Sequence, residues 1–198
     1  MRAQVQDGSR TRGSARERLL AVADRLFFAE GIHNTGITLL IERADIAKAS
    51  FYSAFKSKND LVDAYLERQH AIVFEGLRSA AESDGSLPVK IGRIFDLLSS
   101  AAAQSSYRGC QFVVAAIELP QTDLPAKRWV RIHKLEVLAT IRKMLADAGH
   151  PESVEVAEQL ALIYDGALVT AAVRPESGAI ERGRAMALAV IGSIDTAT

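Results

Sequence analysis

The chain has 198 residues, of which 48% are hydrophobic and 24% charged, with a formal net charge of zero. That is ordinary for a soluble globular protein of one mid-sized domain, or of a small domain joined to a larger one. The single cysteine, Cys110, excludes an intrachain disulfide and suits a reducing cytoplasm, the expected location. No unbroken apolar run reaches the ~18 residues of a membrane helix. The start, "MRAQVQDGSRTRGSARER", lacks the apolar segment of a secretory signal. Charge is unevenly spread: residues 1–60 carry 10 Lys and Arg against 7 Asp and Glu, and the remainder 14 against 17. A basic N-terminal third points to a polyanion partner at that end.

Residues 1–13 read as a flexible basic arm, polar and without periodicity. Ser14 and Glu17 then form an S-x-x-E capping box, followed by Leu19, Leu20, Ala23, Leu26 and Phe27 at helical spacing. Gly31 is the expected left-handed cap of that helix. A second short helix spans about 37–43, with Thr35 or Thr38 as its cap. A turn at Asp45 and Ile46 leads to a third short helix over 47–54. Ser57 and Asp60 form another capping box and open a long helix to about residue 81. "SDGSLP" at 83–88 breaks the chain. Helices follow over about 89–104, 110–119, 125–148, 152–173 and 178–194. The expectation is an all-α fold of about nine helices with short connections.

Three helices within 14–55, the last two short and closely joined, form a helix-turn-helix arrangement. "ADIAKASFYSAFKSKND" at 44–60 has the physics of its second, recognition helix. Phe51 and Phe55, four apart, share a face with Ile46 and can hold the helix down. The opposite face carries Lys48, Ala49, Tyr52 and Ser53, whose mostly small side chains let a helix approach the major-groove floor. Tyr52 and Lys48 can reach phosphates on either side. The helix N-terminus at 57–58 suits a further phosphate, with Lys56 and Lys58 adding countercharge.

Residues 15–65 resemble the DNA-binding region of the tetracycline-repressor (TetR) family. The matching blocks are "R-x-x-L-L-x-x-A-x-x-L-F-x-x-x-G" from Arg16 to Gly31, "T-G-I" at 35–37, "A-x-I-A-K-A-S-F-Y-x-x-F" at 44–55 and "SK-x-x-L" at 57–61. The resemblance implies phosphate contacts for Tyr52 and Lys58, and base reading from Lys48, Ala49 and Ser53. It also implies a backbone approach near Thr35 and Thr38; with Ser50 these make up the expected DNA-contacting set. Two positions depart from the pattern. Asp45 stands where the turn usually has Gly, at some cost in backbone strain and with a negative charge near the DNA. Ala47 stands where a Ser cap is common, a loss of about 1 kcal/mol.

The second half is less specific. "YRGCQFVVAAIELP" at 107–120 resembles one branch of TetR-like ligand-binding domains, which enclose a small, often hydrophobic effector. Helix faces nominate Phe95, Leu98, Cys110, Val113, Trp129, His133, Tyr164 and Leu168 as pocket residues. Trp129 and His133 lie four apart and share a face. The helices over 152–173 and 178–194 are apolar nearly all round, so each is buried twice, which predicts a two-fold homodimer through a four-helix bundle. The resulting organisation is an arm (1–13), a DNA-binding domain (14–56), a connecting helix (57–82) and an effector-binding and dimerisation domain (83–198).

His33, His70, His133 and His150 have no metal-ligand spacing, and no cofactor is expected. No nucleophile elbow or phosphate-loop motif is present. Cys110 follows Gly109 at a helix start, which permits a redox-sensor reading beside inert packing. Glu118 and Asp165 are isolated acids on apolar helices, available for a ligand or for an arginine such as Arg108 or Arg131. Together these features predict a non-enzymatic, one-component transcriptional regulator, and the family's usual mode is repression. Its partners would be a palindromic double-stranded operator, a small-molecule effector and a second copy of the chain, with no membrane. A helical enzyme acting on a small hydrophobic substrate, or an effector-independent DNA-binding factor, are the alternatives.

Overall fold

The computed structural model describes residues 13–104, 107–119 and 125–192. These form nine α-helices and one 3-10 turn, with no strand among the described residues. The elements are α1 (Ala15–Ala29), α2 (Ile37–Ala44), α3 (Lys48–Ala54), α4 (Lys58–Glu82), α5 (Leu87–Ala102), α6 (Gln111–Glu118), α7 (Pro125–Asp147), α8 (Ser153–Val173) and α9 (Ala179–Gly192). The expected basic arm lies almost wholly outside the described residues.

The helix starts follow the local chemistry. Glu17 N–H donates to Ser14 Oγ at 3.2 Å, and Ser14 N–H donates back to Glu17 Oε2 at 2.7 Å. Ser57 and Asp60 repeat this box at α4 with bonds of 3.1 and 3.2 Å. Each box satisfies helix N–H groups that would otherwise lack partners. The expected cap of α2 is corrected: Gly36 holds that position with no side-chain bond. The Thr35 hydroxyl donates instead to the Gly31 carbonyl at 2.7 Å, and Thr38 lies inside the helix. Ala47 caps α3 without a side-chain bond, as expected of an alanine.

Two apolar cores are built along the length of α4. The first joins α1 to α3 with Leu61, Val62, Tyr65 and Leu66 of α4, and takes in Phe112 and Ala115 of α6 and Ala126 of α7. The second joins Leu77 and Ala80 of α4 to α5, α7, α8 and α9. Gly183 of α9 is buried where α8 comes close: a Cβ there would lie 2.9 Å from Ala167 Cβ. By length and composition α8 could cross a membrane, with a mean hydropathy of 1.4. In the fold its Val156, Leu160, Tyr164 and Leu168 are core residues.

Phe51 is fully buried and holds α3 against the first core. Phe51→Ala removes a whole aromatic side chain, and such changes cost about 3–5 kcal/mol. Urea unfolding of the variant is expected to show a loss of that size, whereas a loss under about 1 kcal/mol would mean that α3 is held by something else.

Candidate nucleic-acid interface and ligand cavity

The outer face of α3 is laid bare by the packing of its inner face. Phe51 and Phe55 are buried, so Lys48, Ala49, Tyr52 and Ser53 are exposed and Ser50 is half-buried. The Tyr52 ring meets Phe51 edge-on at 5.2 Å, which fixes its base and leaves the residue 46% exposed. Asp45 adopts the left-handed conformation (φ 50°, ψ 56°) that the sharp α2–α3 turn needs. Arg18 of α1 donates to the Asp45 carbonyl at 2.8 Å, and Arg16 lies over the Phe55 ring at 5.2 Å. Two α1 arginines thus brace the turn and the end of α3. Thr38 is exposed on α2, beside this face.

Two members of the expected DNA-contacting set face inward. Thr35 is completely buried, its hydroxyl spent on Gly31. Lys58 is half-buried, and its Nζ donates to the Ile32 carbonyl at 2.5 Å. Desolvation lowers its pKa, partly offset by the Glu118 carboxylate. The ammonium therefore braces the α1–α2 corner in this structure. Lys56 beside it is exposed.

A cavity of about 680 Å³ opens between the two cores. Of the expected pocket residues, Leu98, Cys110, His133, Tyr164 and Leu168 line it. The other three do not. Phe95 is buried in the second core beside Gly183. Val113 lies outside the lining, half-buried. The Trp129 indole N–H donates to Asp63 Oδ1 at 2.7 Å, away from the cavity. Walls not foreseen include Asp24, Arg25 and Phe28 of α1, and Gln69, Ile72 and Gly76 of α4. A signal existed for some of these. Phe28 and Ile72 are apolar residues off the buried stripe of their helices, Ile72 at 57% exposure. The cavity thus has one wall on the helix-turn-helix unit and the others on the body.

Residues 19–65 match the family model for bacterial regulatory proteins of the tetR family. Residues 19–65 are thus the tetR-family DNA-binding region, and the fold is that of TetR-family regulators. The HTH-type transcriptional repressor NemR of Escherichia coli K12 is 34% identical over 73 residues, 37% of each chain. The matched stretch therefore spans well under half of that relative. A TetR-family transcriptional regulator from Streptomyces coelicolor superposes with a TM-score of 0.85 and 28% identity, over 91% of this chain and 96% of its own. Reduced E. coli NemR shares the fold, with a TM-score of 0.79 and 23% identity over 88% and 95% of the two chains. The tetR-family match ends at Tyr65, so it contains the α3 face and the Asp45 turn but stops short of the α4 residues that line the cavity.

Of the two charged residues that line the cavity, Arg25 and Asp24, the second is tied to its neighbours. Asp24 is engaged by Gln69 at 3.0 Å and by Arg68 at 3.3 Å. Tyr107 donates to the Leu168 carbonyl at 3.3 Å, and burial pushes its pKa up to about 12. Burial also raises Tyr164. His133 stacks on Phe112 at 4.0 Å, and its Nδ1 is 3.3 Å from Nδ1 of His70. His70 Nε2 in turn lies 2.7 Å from Glu136. Burial, with Lys134 and His70 nearby, lowers the His133 pKa to about 3, so the ring is neutral at pH 7. Of the two isolated acids, Glu118 pairs with Arg108 as one of the expected arginines, while Asp165 pairs with Lys134 instead.

A histidine depressed on folding takes up its proton first in the unfolded chain. Its neutral form therefore supports the fold above the ordinary value near 6.5, and that support is lost as pH falls toward about 3. Between pH 6.5 and 4.5 this one group is expected to cost roughly 2 kcal/mol. Urea unfolding at both pH values should show His133→Leu losing less stability than the unsubstituted chain by that amount. An equal loss in both would mean that His133 is protonated in the fold.

Proposed function

We propose that this chain is a one-component transcriptional repressor whose homodimer binds a palindromic operator and is released by a small molecule held in the cavity between the cores. The observation that carries this reading is the position of the cavity. A 680 Å³ space shares walls between α1, which braces the α3 face, and the body helices. An effector there touches both units at once. If it fits one relative arrangement of the two units and DNA fits the other, each weakens the binding of the other by the same factor.

In this reading residues 14–56 bind DNA, 57–82 connect, and 83–198 carry the dimer contact and hold the effector together with walls from α1 and α4. α3 enters the major groove with Lys48, Ala49 and Ser53 toward base edges, while Tyr52 anchors to the backbone with Thr38 beside it. Lys58 meets a phosphate only if it leaves the Ile32 carbonyl, so its first role is to brace the corner. The largely apolar lining favours a largely hydrophobic effector, with Arg25 as the cationic group of the wall. The site of action is the cytoplasm, where the DNA is.

The homodimer is supported by the outer surface of α8. Leu162, Gly166, Val169 and Val173 follow one another at helical spacing and are exposed, Leu162 and Val173 by 73% and 75%. Met186 and Ala189 continue the exposed face on α9. An apolar stripe of this length on a folded chain marks a partner surface. A two-fold pairing across it would set two α3 helices about 34 Å apart, one per successive major groove.

Two measurements test the reading. Fluorescence anisotropy with DNA from upstream of the chain's own gene should show saturable, sequence-specific binding. Tyr52→Ala should weaken it about fivefold on strong and weak sites alike, as a lost phosphate hydrogen bond does. A change in base preference instead would make Tyr52 a reader, and no specific binding on any promoter would overturn the regulator reading. Light scattering should find the chain a dimer and Leu162→Asp a monomer. A dimeric Leu162→Asp would move the interface off α8.

A further inference from the structure

The last residue of α6 holds the corner from which the DNA-reading helices emerge. Glu118 Oε2 accepts the backbone N–H of Ile32 at 2.6 Å and of His33 at 3.2 Å. Its Oε1 accepts Arg108 Nη2 at 2.8 Å. The carbonyl of the same Ile32 is bound by Lys58 at the start of α4. The corner is shaped around this carboxylate. Gly31 has φ +90°, and a Cβ there would lie 2.5 and 2.8 Å from the two Glu118 oxygens and 3.0 Å from Arg108 Nη1. Beyond the corner, Thr35 bonds back to Gly31 and Gly36 caps α2. Movement of the carboxylate therefore moves the entry to α2, and with it α3.

Both arms of this clamp spring from the cavity wall. Tyr107, Gly109, Cys110, Gln111 and Phe112 line the cavity. Arg108, in the middle of that run, turns away to Glu118. α6 starts at Gln111 and ends at Glu118, eight residues that carry displacement of the wall over about 12 Å. Tyr107 donates to the Leu168 carbonyl of α8, and a Cβ at Gly109 would lie 3.4 Å from Ala172 Cβ, so the wall run abuts α8 on its far side. A ligand that presses on residues 107–112 therefore displaces Arg108 directly and Glu118 through the helix.

We infer that Glu118 is the positioning residue that couples occupancy of the cavity to the orientation of the helix-turn-helix unit, with Arg108 as its second arm. The inference rests on the ligand-responsive regulator proposed above. It assigns the path within that regulator: a charged hydrogen-bond clamp from α6 to the Ile32–His33 peptides, rather than general packing between the cores. A clamp of merely structural value would change operator affinity with the cavity empty or filled by the same factor. A coupling clamp changes the ratio between the two.

The effector being unidentified, the cavity is filled by substitution. Ala101 lines it from α5, and Ala101→Trp places an indole in the space. Operator Kd is measured by anisotropy for the unsubstituted chain, Ala101→Trp, Glu118→Ala and the double variant, with thermal unfolding to confirm that each folds. Filling the cavity is expected to weaken operator binding about tenfold in the unsubstituted chain, within the usual range of coupling between sites. In the Glu118→Ala background the same substitution is expected to change Kd less than about twofold. An undiminished tenfold effect there would overturn the role of Glu118 while leaving the cavity-responsive regulator standing. No effect of Ala101→Trp in the unsubstituted chain would overturn the cavity reading itself, and the coupling with it. If Glu118→Ala does not fold, Arg108→Gln carries the test. It should cut the tenfold effect at least threefold, and an unchanged effect would refute the clamp.

Discussion

Much of this molecule depends on how the backbone of one residue, Ile32, is held. Its N–H is taken by a carboxylate from the end of α6, and its carbonyl by an ammonium from the start of α4. Three segments far apart in sequence meet at a corner of a few residues. A backbone corner with exposed N–H groups is ordinarily left to water. Here charged partners occupy it, and such bonds are stronger than neutral ones. The Gly31 backbone, lacking a Cβ, is what lets the carboxylate come this close. The α2–α3 pair hangs from that corner, so its orientation relative to the body is set there and by the arginine brace at Asp45.

The two cores divide the work along α4. Its first turns belong to the core that fixes α3, and its last turns to the core that α8 and α9 complete. α6 does the reverse of what its place in the chain suggests. It follows the body helix α5, yet Phe112 and Ala115 pack in the DNA-binding core. The cavity lies where the two cores fail to meet. A space so placed is suited to regulation, because anything that fills it bears on both sides. Within it His133 is neutral and Asp24 is tied to Gln69 and Arg68.

The helices were legible from the sequence because their signals are local. Ser14–Glu17 and Ser57–Asp60 form reciprocal capping boxes at three-residue spacing, and Phe51 and Phe55 mark the inner face of α3 at four. Asp45 in the left-handed region follows from the turn that must stand there. What escaped depends on contacts between distant segments. Nothing near Lys58 says that its ammonium reaches Ile32, 26 residues back. Thr35 looks like a cap or a phosphate contact until Gly31 claims its hydroxyl. Trp129 shares a helix face with His133, but Asp63 of α4 draws its indole away. Asp24 and Arg25 in the α1 wall of the cavity were illegible for another reason: periodicity reports which face is buried and says nothing of where two buried faces leave a gap.

Footprinting of the chain on DNA upstream of its own gene tests the central claim most directly. The account predicts protection of two inverted half-sites whose centres lie about one helical turn, or a multiple of it, apart, from a two-fold dimer reading successive major grooves. A single unpaired footprint, or protection with no sequence preference, would contradict it.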